Sequence, residues 1–240
     1  MVWRMIRYEC RRCLPLYAVW AAIGAALAAA ARLGLFSLTD MPLFYLLFFG
    51  SVGILLYRYH CTMHSSEAAF LFTLDLSPGK QMLARYGSSL LWSIFTALAI
   101  GGVLFIQGEA LSGLLRQLSF PMGILLTAEV SLSVFTLVVF VSVPLTLSHM
   151  RPFSGHPVFW FLILGAALLG AVDLLSGLTE CLIPAYLAAA EDGRLFVTSV
   201  PDTPASISFS VNMLLWDTVF AGVILLWMPR IVRRKLLLTR

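Results

Sequence analysis

Six stretches of this chain are long and apolar enough, or nearly so, to cross a lipid bilayer, whose hydrocarbon core takes about 20 helical residues. They run from Leu14 to Phe36, Met41 to Tyr57, Tyr86 to Gln107, Pro121 to Leu147, Val158 to Leu178 and Ile207 to Met228. The second is short and is expected to continue as helix into the polar stretch behind it. A backbone inside lipid finds no water to bond, so open strands and lipid-exposed loops are excluded and each stretch reads as a helix. Composition agrees: a chain of 240 residues that is 60% hydrophobic and 12% charged has too little polar surface to cover a soluble globule. The expected fold is all-α, a single transmembrane domain over residues 1–240 with six spanning helices.

The net charge of +4 raises the question of nucleic acid, but the placement of the charges answers it. Thirteen of the 16 Lys and Arg fall in alternate loops and at the two termini: Arg4, Arg7, Arg11, Arg12, Arg58, Lys80, Arg85, Arg151, Arg230, Arg233, Arg234, Lys235 and Arg240. Only Arg32, Arg116 and Arg194 lie on the other side, whose loops are acidic instead. This asymmetry is a membrane-orientation signal that predicts cytoplasmic termini and a lipid partner, and no nucleic acid is implied. The basic residues ahead of Leu14 also look like the start of a signal peptide. The apolar run is long for one and more spans follow, so an uncleaved first helix is the expectation.

Polar chemistry is concentrated between the second and third spans, in residues 58–85. Met63, Glu67, Phe70 and Leu74 recur at helical spacing, with Ser65 and Ser66 placed to cap at Glu67, which predicts a short amphipathic helix. Ser77 then offers a cap and Pro78 suits a first helical position, so a longer helix is expected to start at Pro78. Lys80 and Arg85 are expected to face the aqueous phase before the helix turns apolar near Tyr86.

The run EAAFLFTLDLSPGKQMLAR resembles, without gaps, the loop of the permease subunits of type-2 ATP-binding-cassette exporters, which reads roughly Glu-Gly-Tyr-Leu-Thr-x-Thr-Leu-Pro-Val-Ser followed by a Ser-Lys pair. Glu67, Thr73, Leu74 and Ser77 match that pattern, and Arg85 keeps the charge of its lysine. Ala68, Ala69, Asp75 and Ala84 depart from it. The resemblance covers about 30 residues and implies a function. A bacterial plasma-membrane permease would form the substrate path and dimerise with itself or a second permease. Through Met63, Glu67, Phe70, Thr73, Leu74 and Ser77 it would couple to a separate ATPase, and ATP and Mg would bind in that subunit, so this chain is expected to be no enzyme itself. It also implies short external or re-entrant helices in residues 181–206. There CLIPAYLAAA is apolar but too short to cross, and EDGRLFVTSVPDTPAS reads as a solvated loop. The competing expectation is a polytopic membrane protein without an ATPase, such as a sensor-associated or assembly factor.

Three carboxylates, Glu129, Asp173 and Asp217, fall inside predicted spans. Charge in lipid is expensive and such groups face a bundle interior or a watery path, so they are candidates for a translocation path as well as for hydrogen-bonded packing. No Lys or Arg within the spans offers them a partner. Cys10 and Cys13 with His60 and His64 would make a two-Cys, two-His zinc set, but two spans separate the halves, and reduced thiols beside interfacial histidines are the expectation. Gly79-Lys80 lacks the remaining residues of a phosphate-binding loop, and H-E-x-x-H is absent. Small residues four apart, Ala21, Ala25 and Ala29 with Gly24 and Ala28 beside them, and Ala166 with Gly170, mark candidate helix-packing seams. Pro144 predicts a kink.

Overall fold

The computed structural model describes residues 2–35, 40–64, 77–107, 120–150, 153–189, 195–198 and 208–238. Among the described residues there are six α-helices: α1 (Val2–Arg32), α2 (Asp40–His64), α3 (Pro78–Gln107), α4 (Phe120–Ser148), α5 (Pro157–Leu182) and α6 (Val211–Leu238). Each contains a segment long and apolar enough to cross a membrane, so the multi-pass architecture expected from hydropathy is present. The chain divides into two compact units, one of residues 1–118 and 123–138 and the other of 119–122 and 139–240.

Helix boundaries follow local chemistry. The first helix begins at Val2, so the arginine-rich N-terminus is helical, and it ends at Arg32 rather than Phe36. Gly34 adopts φ +72, which a glycine tolerates without strain. Leu35 N–H then donates to Ala30 O at 3.1 Å and Gly34 N–H to Ala31 O at 3.0 Å, the paired bonds that close a helix C-terminus around a left-handed residue. The second helix runs past Tyr57 to His64, as the shortness of its apolar stretch suggested. The third starts at Pro78, as predicted. The fourth continues through Pro144 to Ser148, and the proline ring lies against Gly165, whose added Cβ would stand 3.9 Å from Pro144 Cγ.

In the first unit, α1 presents a buried stripe of Met5, Glu9, Cys13, Tyr17, Gly24 and Ala28, spaced at successive turns. Tyr17 stacks on Trp92 of α3 with ring centroids 4.2 Å apart, and Cys13, Val52, Leu55, Val134 and Val138 complete that cluster. A second cluster joins Ala28 to Leu43, Leu47, Ile100, Val103 and Leu104. Gly24 is what lets α1 meet α2, because a Cβ there would fall 2.6 Å from Leu47 Cδ2. Beside it Trp20 Nε1 donates to Leu47 O at 3.1 Å. At the far end Arg32 donates to Ile106 O at 3.0 Å, supplying a cation to the last carbonyls of α3.

The second unit adds a small sheet to an otherwise helical chain. Between α5 and α6 lie three strands, β1 (Tyr186–Ala189), β2 (Leu195–Thr198) and β3 (Ser208–Ser210), in the order β2-β1-β3. Both pairings are antiparallel, with Tyr186 opposite Thr198 and Ser210. The expected external or re-entrant helical segment over 181–206 is thus corrected for the described residues to a small sheet. The sequence explains it: Tyr, Phe, Val and Thr favour strands, and an Asp192-Gly193 pair between β1 and β2 is a hairpin signal. The sheet leads directly into α6, with Val211 N–H donating to Ala185 O at 2.9 Å. The helices of this unit are joined by Trp216 Nε1 to Thr179 Oγ1 at 3.0 Å and Asn212 Nδ2 to Ile183 O at 2.7 Å.

Candidate functional site

Of the 58–85 stretch, the structure describes residues 58–64 at the end of α2 and 77–85 at the start of α3. Glu67, Phe70, Thr73 and Leu74 lie outside the described residues, as does the short amphipathic helix expected around them. Ser77 is exposed, and its carbonyl accepts Gln81 N–H at 3.2 Å, the first helical bond of α3. Lys80 is exposed, as expected.

Two expectations are corrected here. Met63 was to sit on an outward docking face, but it belongs to α2 and is only 2% exposed. Arg85 was to reach water, but it is 3% exposed, its Nη2 donating to Thr62 O at 2.9 Å and its Nη1 to the sulfurs of Met63 and Met82. The reason is the continuation of α2 beyond Tyr57, which brings its last two turns alongside the first turns of α3. Tyr59 and Tyr86 stack across that contact with centroids 6.2 Å apart. Apolar stems of methionine and arginine fill the gap, and the guanidinium meets a carbonyl left open near the end of α2.

One turn back along α2 from Thr62 stands Arg58, whose Nη2 lies 3.3 Å from Glu9 Oε2 on α1. The Glu9 side chain is buried, at 4% exposure, and that of Arg58 is partly buried, at 11%. By charge placement alone Arg58 is only a loop charge, and Glu9 enters no motif. The signal was available, because Glu9 occupies the place four residues from both Met5 and Cys13 on the apolar stripe of α1. A carboxylate on that stripe needs a cation from a neighbouring helix.

The three predicted intramembrane acids are divided between the two units. Glu129 is half-buried on α4 within the first unit, while Asp173 on α5 and Asp217 on α6 belong to the second. Asp173 is exposed and Asp217 half-buried, and among the described residues neither has an ion-pair partner. Around Glu129, Ser133 and Thr136 follow at four and seven residues and share its face of α4. Thr136 donates back to Leu132 O at 2.9 Å within the same helix. Cys13 is buried in the aromatic cluster with Cys10 packed against it, and no three His, Cys, Asp or Glu gather to hold a metal among the described residues.

No family model, no curated protein and no solved structure matches this chain.

Proposed function

We propose that this chain is the permease subunit of an ATP-driven exporter of the type-2 ATP-binding-cassette class. It would form the membrane path and couple through the segment up to Ser77 to a separate ATPase that binds ATP and Mg. The observation that carries the reading is the gapless run from Glu67 to Arg85, with Glu67, Thr73, Leu74 and Ser77 at the family's positions, set between two apolar helices. Support comes also from the thirteen-to-three division of Lys and Arg, which predicts a cytoplasmic location for that run and both termini. A dimer of permeases and a bacterial plasma membrane follow from the same resemblance.

In this mechanism, ATP binding displaces residues 65–76 and pulls on the ends of α2 and α3 that flank them, and the bundle shifts between two states of access. Met63 and Arg85 serve as the inner support of the coupling segment, and the docking contacts fall to Glu67, Phe70 and Leu74. Glu129, Asp173 and Asp217 are the carboxylates available to a polar substrate path.

The decisive experiment is a quantitative pull-down with the ATPase encoded beside this chain, joined to an export assay. Leu74→Ala should weaken association by about 1–2 kcal/mol, as for a typical anchor in a small interface. Glu67→Arg should do worse, because it adds repulsion to the lost contact. Membrane levels of both variants should match the unmodified protein. Unchanged association and export in the double variant would remove the exporter reading and leave a polytopic membrane protein that works without an ATPase.

A further inference from the structure

Among the described residues buried charge is rare, and it gathers at one place. Glu9 of α1 is 3% exposed and bonds Arg58 of α2; four residues on, the carbonyl of Thr62 holds Arg85 of α3. Met5 and Ala84 pack together at the same end, and Gly87 of α3 lies so near α1 that a Cβ there would stand 3.3 Å from Ile6 Cδ1. The three helices are thus tied in series, α1 to α2 by an ion pair and α2 to α3 by a guanidinium on a carbonyl. The ties bracket residues 65–77, because α2 ends at His64 and α3 begins at Pro78.

We propose that Glu9, Arg58 and Arg85 are positioning residues that clamp α1, α2 and α3 into one mechanical unit, so that a displacement of the C-terminal end of α2 carries α1 and α3 with it. A buried ion pair holds a fold no better than a well-packed apolar pair of similar volume, so its worth here lies elsewhere. Apolar contacts are non-directional and let helices slide, whereas a charge pair and a hydrogen-bonded guanidinium fix register and resist shear. Arg58 is the hinge of the arrangement, since it shares α2 with the Thr62 carbonyl that anchors Arg85. The clamp rests on the exporter reading only for what drives it; its existence is a property of the three helices.

Cys13 supplies a native probe. It is one turn from Glu9 on the buried stripe, within electrostatic reach of Arg58, and 2% exposed. With Cys10, Cys61 and Cys181 changed to serine, the rate of N-ethylmaleimide labelling in isolated membranes reports opening of the α1–α2 contact. Glu9→Gln and Arg58→Met should each raise that rate at least about tenfold, as expected when a protected site opens locally. The reversed pair, Glu9→Arg with Arg58→Glu, should restore protection and shows that each single variant failed through its lost partner and not through misfolding. The apolar pair, Glu9→Leu with Arg58→Met, should keep Cys13 protected yet lose most of the export obtained per ATP hydrolysed. Wild-type labelling in Glu9→Gln would overturn the clamp. Protection with full coupling in the apolar pair would overturn the transmission and reduce the ion pair to packing. If the unmodified protein binds no ATPase, the exporter reading fails on that arm, while the labelling arm still decides the clamp.

Discussion

Helices α1 and α5 look alike as sequence, each apolar with small residues four apart, and they behave in opposite ways. On α1, Gly24 and Ala28 are buried, and a Cβ on Gly24 would stand 2.6 Å from Leu47 Cδ2, so the leucine would have to shift to admit one. On α5, Ala166 and Gly170 are exposed, and a Cβ on Gly170 would meet nothing within 4 Å. Only Val172 and Ser176 of α5 are buried. In lipid the surroundings are as apolar as the helix, so a small-residue spacing permits close approach without driving it. What draws α1 inward is its other content: Tyr17 stacked on Trp92, Trp20 bonded to Leu47, and Glu9 paired with Arg58. The second unit buries apolar residues elsewhere, Phe140 on α4 and Ile224, Met228 and Val232 on α6, beside the polar ties near its sheet.

This contrast is most easily broken at the aromatic centre. Trp92→Ala should destabilise the protein by about 3–5 kcal/mol, as for a large ring removed from a packed core. Trp227→Ala on α6, 63% exposed, should change little. Thermal unfolding in detergent at matched expression measures both, and equal effects would mean that the first unit has no privileged core. A smaller difference is expected at the glycines: Gly24→Leu forces α1 from α2 at about 1–3 kcal/mol, the range for overpacking, while Gly170→Leu is accommodated. If Gly170→Leu proves the more damaging, α5 is covered by a partner in the membrane. The smallest effect belongs to the second unit, where Trp216→Phe deletes the bond to Thr179 and should cost about 0.5–1.5 kcal/mol. A loss as large as that of Trp92→Ala would show that one hydrogen bond holds α6 to α5.

Much of the architecture was legible because it depends on short-range chemistry. An apolar run of spanning length becomes a helix in lipid whatever its neighbours do, so the number of helices could be counted from composition along the chain. Pro78 marked the start of α3 for an equally local reason. The end of α1 was also readable, from Gly34, but apolar residues on either side of it hid the stop. The strands at Tyr186–Ala189 and Leu195–Thr198 were missed because short strands gain stability from pairing, and the third strand lies beyond a further stretch of chain.

The candidate site divides along the same line. The sequence alone determined which residues form the polar stretch between α2 and α3, which of them match a known loop, and how positive charge is distributed about the spans. Only the tertiary structure decided that Met63 and Arg85 face inward, that Glu9 answers Arg58 across 49 positions of chain, and that Glu129 belongs to a different unit from Asp173 and Asp217. Periodicity assigns a residue to a face of its own helix, but burial depends on which other helix comes to cover that face. A charge acquires its partner only when two helices are brought side by side.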